Sequence, residues 1–360
     1  MKVILAYVFW YHVSACLKPN CKGHRSNDFL SNSLQFKYFS LYKSLGRISA
    51  AHDHYNSTLL IIIMKFGRLE DDMLADIVWD LPQDAPSTRV VLGNSSVGVH
   101  PPVIHIGCPV WADRSFLGKL YEPRTPTKDF LNAYSKQFST VELNATFYGM
   151  PKIERVLAWK RIVGDNFRFC PKVPRPISHG TNVETTSRLL ASFIDAALNF
   201  EGNLGMAFMQ LPAYFQPSRF ALLQQLLAHV PTHFPLALEV RHPLWFSDCT
   251  ARQELFSYLQ DRGISAVITD TAGRRDVLHQ TLTTSCAFIR FTGNNLHATD
   301  YVRIDHWITK IHNWITQGLS TVYFFLHQPI KLHCVDLAIY MIKRLNTLLA
   351  TRLPSPRSLQ

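Results

Sequence analysis

Three carboxylates stand where a folded core would not ordinarily place them. Glu142 lies in TVELNATFY (140–148), Glu239 in LALEVR (236–241) and Asp270 in SAVITDT (265–271), each among apolar neighbours. A carboxylate in such a setting is costly unless it is paired, binds an ion or is put to use. Two of them facing each other could act as general acid and base, and several together could hold a divalent metal. Three cations occupy equivalent places: Lys172 in FRFCPKVP (167–174), Arg241 two residues after Glu239, and Arg290 in CAFIRFTG (286–293). They suit a phosphate or carboxylate, which Arg can grip through a bidentate fork. The candidate catalytic residues are therefore Glu239, Asp270 and Glu142. Asp270 or Glu239 comes first for proton transfer, because each closes an apolar strand where desolvation can tune its pKa. The candidate substrate contacts are Asn144, Tyr148, Lys172, Gln210, Arg241, Arg290, Asn294, His327 and Trp111. The same charges could instead only neutralise one another; Glu239 and Arg241 share a strand face and can pair locally.

The other reactive residue types give weaker signals. His179, His242, His297 and His327 fall at segment ends, where a histidine is more often structural than a ligand. No HxH or HExxH spacing occurs among them, so no metal ligands are assigned and a divalent metal is only weakly signalled. Cys108 is more plausible as a packed thiol than as a nucleophile. Trp111, Phe147, Tyr148, Tyr214, Phe215, Trp245 and Phe246 suit a stacking platform for a sugar or base equally well as a hydrophobic collar. The Arg274–Arg275 pair, only partly offset by Asp276, is the expected source of excess positive charge and favours an anionic ligand.

The elements that must position these residues follow one rhythm. Strand candidates at 103–109, 140–148, 167–174, 205–212, 236–241, 265–271, 286–293 and 321–328 alternate with helix candidates at 128–138, 153–164, 185–200, 218–230, 251–263, 303–318 and 336–349. Between the sixth and seventh strands, AGRRDVLHQTLTTS reads mostly as loop, and LHATDYVRIDHW (296–307) reads as a loop over the mouth. Eight such units predict parallel strands closed into a TIM-type (β/α)8 barrel, an α/β fold in a single domain. Its chemistry would sit at the carboxyl ends of the strands, where the polar residues named above cluster. No GxGxxG or GxxxxGK[ST] follows a strand, so no nucleotide cofactor is assigned.

The segments IGCPVW, VELNATFYGMP, FRFCPKVPRPISH, MQLPAYF, LEVRHPLWF, TDTAGRRDVLH and FIRFTGNN together resemble the YecE-like family, domain of unknown function 72. The resemblance spans roughly residues 64–350 and implies a TIM-type barrel. It carries no established reaction, so it transfers no catalytic role.

Residues 1–63 look foreign to this pattern, with seven Lys/Arg, two Asp and no Glu. They are expected to be a disordered extension or a mis-assigned start, dispensable for a chain beginning at Met64. Residues 64–101 read as a lead-in with at most a short helix, 102–352 as the barrel and 353–360 as a tail. Seven scattered Cys with no paired spacing suit reduced thiols in the cytoplasm, and no apolar run is long enough to span a bilayer. The net charge of +11 is spread thinly outside the first 63 residues, with no dense basic run. The first expectation is an enzyme, a hydrolase, lyase or isomerase, acting on an anionic or polyhydroxyl small molecule or nucleotide fragment by carboxylate acid–base chemistry. The alternatives are a nucleic-acid-processing or nucleic-acid-binding protein and a non-catalytic ligand-binding barrel. Sequence alone sets neither the reaction nor the oligomeric state.

Overall fold

Short apolar segments rich in Val, Ile, Leu and Phe, buried on both faces, are the signature of parallel strands under a layer of helices. The computed structural model, which describes residues 67, 69–93 and 101–359, has eight of them. They are β1 (Val103–Cys108), β2 (Thr140–Leu143), β3 (Arg168–Pro171), β4 (Ala207–Gln210), β5 (Leu236–Glu239), β6 (Ser265–Thr271), β7 (Cys286–Thr292) and β8 (Thr321–His327). The sheet runs β3-β2-β1-β8-β7-β6-β5-β4, and every neighbouring pair is parallel. Its two ends meet: Gly205 N donates to Phe169 O and Val173 N donates to Phe208 O, both at 2.8 Å. These bonds and the parallel bridges Phe169↔Leu204 and Lys172↔Phe208 join β3 to β4 and close the barrel.

In chain order the α-helices are α1 (Pro86–Gly93), α2 (Phe130–Ser135), α3 (Ile153–Lys160), α4 (Arg175–Ser178), α5 (Val183–Leu198), α6 (Phe220–Leu227), α7 (Leu244–Ser247), α8 (Cys249–Asp261), α9 (Ala298–Thr316) and α10 (His333–Leu349). Alternation along the strands divides the side chains between two cores. Ile104, Ile106, Val141, Leu143, Phe169, Ile268, Ile289 and Phe291 face outward and pack with the helices. Cys170, Phe208, Ala237, Val267, Phe288, Tyr323 and Phe325 face inward and fill the lumen. Gly107 is dictated by closeness: a Cβ there would lie 2.3 Å from the Thr140 carbonyl oxygen of the paired strand.

Three expectations change. The strand expected over 140–148 ends at Leu143, and Asn144–Phe147 is a 3-10 turn held by Thr146 Oγ1, which donates to Leu143 O and Lys172 O at 2.9 and 2.6 Å. The loop expected over 296–307 is mostly the start of α9, which begins at Ala298 and is capped by His297 through a bond from Thr299 N to Nδ1. Its buried residues Arg303, Ile304 and Trp307 carry the side of the helix that packs on the barrel wall. The helix expected over 128–138 begins with a 3-10 turn and is regular only over α2.

After β6 there is a 3-10 segment, Ala272–Val277, and no α-helix before β7. The lead-in covers this face. Ala85 N and Thr88 Oγ1 donate to Gln280 O, Leu282 N donates back to Thr88 Oγ1, and Leu92 is buried in one cluster with Leu278 and Leu282. Asp84 ties the same segment to α9 by accepting from Lys310 Nζ at 2.9 Å and Trp314 Nε1 at 3.1 Å. The reading of residues 1–63 lies outside the described residues.

Candidate active site at the barrel mouth

β7 pairs with β6 and β8 only, yet its Arg290 reaches β2 and β5. A side chain can do this only by crossing the lumen. Arg290 Nε and Nη2 donate to Glu142 Oε2 and Oε1 at 2.9 and 3.0 Å, a bidentate pair, while Nη1 donates to Glu239 Oε2 at 2.7 Å. His327 on β8 lies with Nε2 at 2.9 Å from Glu142 Oε2, and Asn144 Nδ2 donates to Oε1 at 2.9 Å. On the far side Gln210 Nε2 donates to both oxygens of Glu239, at 3.0 and 2.9 Å, and its Oε1 accepts from Lys172 Nζ at 2.8 Å. Arg241 Nε stands 3.8 Å from Glu239 Oε1. Seven residues from β2, β5, β7, β8 and the ends of β3 and β4 thus form one network at the carboxyl ends of the strands, with Asn144 as its eighth member.

The electrostatics follow from this geometry. Glu142 and Glu239 are almost wholly buried, at 0% and 1% exposed. Burial pushes both upward, but Arg290 together with His327 at Glu142, and with Arg241, Lys172 and Gln210 at Glu239, outweighs it and holds Glu142 well below, and Glu239 below, the usual carboxylate range. Both are therefore anions. An anionic carboxylate only accepts, so Nε2 of His327 is the donor in its bond to Glu142, which leaves Nδ1 as the ring nitrogen turned away from that carboxylate. Both Glu142 oxygens already accept two bonds each. That carboxylate orients its neighbours and has no capacity left for a substrate proton.

Lys172 is 7% exposed and is pushed down to about 8, first by burial and then by Arg290. Burial also brings Arg241 down to about 10. Lys172, Arg241 and Arg290 face Glu142 and Glu239, which leaves one more cation than carboxylates. Thr269, whose partner in register is Arg290, has a buried hydroxyl without a hydrogen-bond partner among the described residues, and so does the Asn294 amide nitrogen after β7. An unsatisfied hydroxyl such as that of Thr269, beside a charged lumen, is what a bound polar ligand would complete.

Asp270 is not part of this set. It alternates with Thr269 and so faces outward from β6, between the barrel and α9. There Arg303 Nη2 and Arg275 Nη1 donate to Oδ1 at 2.7 and 2.5 Å, and Trp307 Nε1 donates to Oδ2 at 2.7 Å. The Arg274–Arg275 pair does not supply the mouth with free charge either: Arg275 is spent on Asp270, and Arg274 pairs with Asp276 through two bonds at 2.8 and 3.0 Å. Trp111 packs against Trp159 and Phe169 on the outer side of β3. Of the aromatics, Trp245 and Phe215 are buried and joined by a bond from Trp245 Nε1 to Phe215 O, a collar. Tyr148 and Tyr214 are 86% and 60% exposed on the loops that follow β2 and β4. Phe147, one of the aromatics expected as a stacking platform or a collar, carries the Lys172 ammonium 4.2 Å from its ring centroid. Thr269 was missed; only its place in the inward register marks it. Cys108 is a buried thiol raised by burial. Among the described residues no group of three or more His, Cys, Asp or Glu could hold a metal ion, and no helix is long and apolar enough to cross a membrane.

A closed parallel α/β barrel with a charged, hydrogen-bonded set at its carboxyl-terminal mouth defines the class of protein. The chain belongs to the DUF72 family: the model described as "Protein of unknown function DUF72" matches residues 105–358. It is similar to the UPF0759 protein YecE of Escherichia coli (strain K12), 31% identical over 245 residues that cover 63% of this chain and 87% of that protein. It is also similar to the UPF0759 protein YunF of Bacillus subtilis (strain 168), 27% identical over 169 residues, 45% of this chain and 58% of that one. Among solved structures, a DUF72 family protein from Enterococcus faecalis V583 superposes with a TM-score of 0.56 at 19% identity, covering 70% of this chain and all of that chain (100%). One from Thermotoga maritima MSB8 gives 0.53 at 20% identity, covering 69% and 100%. These two share the fold.

Proposed function

We propose that the protein is an enzyme that takes an anionic small molecule into the barrel mouth and moves a proton on it with His327, oriented by Glu142. The observation that carries this reading is the Glu142–Arg290–Glu239 crossing. It fixes a histidine, a lysine and a second arginine around one lumen with an excess of one positive charge. In this reading Lys172 and Arg241 attract the anion, and Asn294 and Thr269 complete its hydrogen bonds. The carboxylates hold the histidine and the cations in place, as the oriented base of a hydrolase, lyase or isomerase requires. A reducing cytoplasm fits the five described cysteines, all free thiols.

The test is thermal stabilisation by a panel of phosphorylated and carboxylated metabolites, with short oligonucleotides alongside. Small anions should raise the melting temperature of the wild type and of His327→Asn alike, and turnover of the stabilising compound should vanish in His327→Asn. Stabilisation by oligonucleotides alone would favour a nucleic-acid role. Turnover unaffected by His327→Asn would refute the assignment of the base.

A further inference from the structure

Resting on the reading of the mouth as an anion site, we propose that Lys172 is an amine nucleophile that captures the carbonyl of an anionic aldehyde or ketone as a Schiff base. The geometry around Nζ is unusual for a lysine. Among the described residues no carboxylate lies within ion-pair distance of it; its hydrogen-bond acceptor is the neutral amide of Gln210 at 2.8 Å. Its other close surroundings are the faces of Phe147 and Phe208, 4.2 and 5.7 Å from the ring centroids. Glu142 and Glu239, the two nearby anions, are both committed to Arg290. A buried ammonium with this company loses solvation without gaining a full counter-charge, and a second cation beside it favours the neutral amine further.

The charged and titratable groups around Lys172 are Arg290 on β7, Glu142 on β2, Glu239 and Arg241 on β5 and its end, and His179 in the β3 loop. The carboxylates raise its basicity and the arginines lower it. With burial added, the balance brings Lys172 down to about 8, so near neutral pH the ammonium still predominates but a far larger share is free amine than in an ordinary lysine.

The step is self-contained. The neutral nitrogen lone pair forms a bond to the carbonyl carbon, and the carbonyl π pair moves to oxygen. A proton passes from nitrogen to oxygen to give a carbinolamine. The nitrogen pair then forms the C=N bond as the C–O bond breaks. The second amine hydrogen leaves with the oxygen, so amine and carbonyl give imine and one water, with no oxidant or co-reactant. The anionic end of the carbonyl compound would rest on the guanidinium of Arg241.

The probe is glyoxylate, an anionic aldehyde, with cyanoborohydride to reduce the imine and peptide mass spectrometry to locate it. Acetaldehyde serves as the neutral control. Lys172 should be alkylated by glyoxylate about tenfold faster than the exposed Lys128 and Lys152 at neutral pH, since a lower pKa frees more amine. Its rate should level off above about pH 8. Acetaldehyde should lose this preference for Lys172, and Lys172→Arg should abolish the adduct at that peptide while the exposed lysines react as before.

Labelling of Lys172 no faster than of Lys128 and Lys152 overturns the inference. If oxalate, which has no electrophilic aldehyde, still stabilises the chain thermally in that case, the anion-site reading survives. If Lys172 labels equally fast with acetaldehyde and oxalate does not stabilise the chain, the anionic substrate class and the anion site fall together.

Discussion

Arg290 shows how much one side chain decides here. It lies between two buried carboxylates and supplies three of their hydrogen bonds. Replacing it with Met leaves two buried anions facing each other, and the expected cost is about 3–5 kcal/mol, measured by urea denaturation. Asp270→Asn removes the nearer counter-charge of the buried Arg303, leaving Asp300 at 3.6 Å, and should cost about 3 kcal/mol. Because Asp270 faces α9, anion binding per folded molecule should not change, and a loss of binding in the folded fraction would return Asp270 to the site. Lys172→Met should act in the opposite sense and raise stability by about 1 kcal/mol or more, since it replaces a buried ammonium lacking a full counter-ion with an apolar chain of similar length. Lys172, Glu142 and Glu239 were legible in sequence as charges among apolar neighbours. Their division into orienting and reacting groups was not, because it depends on which partner each atom meets.

At the scale of elements, the barrel dispenses with an α-helix after β6 and uses the lead-in there. Thr88 is the joint: it donates to Gln280 O and accepts from Leu282 N, both at 3.0 Å, across more than 190 residues of chain. Thr88→Val keeps the shape but leaves the buried Leu282 amide without its acceptor and Gln280 O with only its bond from Ala85 N. The expected cost is about 1–3 kcal/mol, seen as a lower denaturation midpoint with an unchanged slope. The weak helical pattern of AGRRDVLHQTLTTS marked the gap in sequence. What fills it could not be read, since α1 matches it by shape and not by any local signal. The misread loop at 296–307 has a similar cause. His297 caps α9 with a ring nitrogen, whereas Ser, Thr, Asp and Asn are the usual signals of a helix start.

For the molecule as a whole, charge burial gives a pH dependence with two opposite signs. Glu142, Glu239 and Asp270 have folded pKa values below their ordinary ones. Their contribution to stability is fully present above the ordinary carboxylate range and is lost as pH falls below it, through their folded values. The melting temperature should therefore drop on acidification below about pH 5. Lys172 is also lowered, but it is a base, so the unfolded chain holds more protons than the folded one between about 8 and the ordinary lysine value. Stability gains from this residue as pH rises through that window. The buried thiols of Cys108 and Cys170 and the half-buried one of Cys286 are raised and oppose it, because unfolding lets them ionise. The lysine contribution is isolated as the difference in melting temperature between wild type and Lys172→Met. That difference should shrink as pH rises from about 8 to 10, and a constant difference would contradict the lowered value.

The alternation of strand and helix, the parallel sheet and the inward register of Glu142, Lys172, Glu239, Arg290 and His327 all follow from local rules. Periods of two and of 3.6 residues are written along the chain. By contrast, Asp270 ends a strand just as apolar as that of Glu239, yet one step of the pleat turns it outward to Arg303 and Trp307. Whether a given strand-end residue enters the lumen depends on where each strand sits around the closed ring and how far it is staggered along it. That stagger is set by closure between β3 and β4, a contact between segments whose pairing no local pattern specifies.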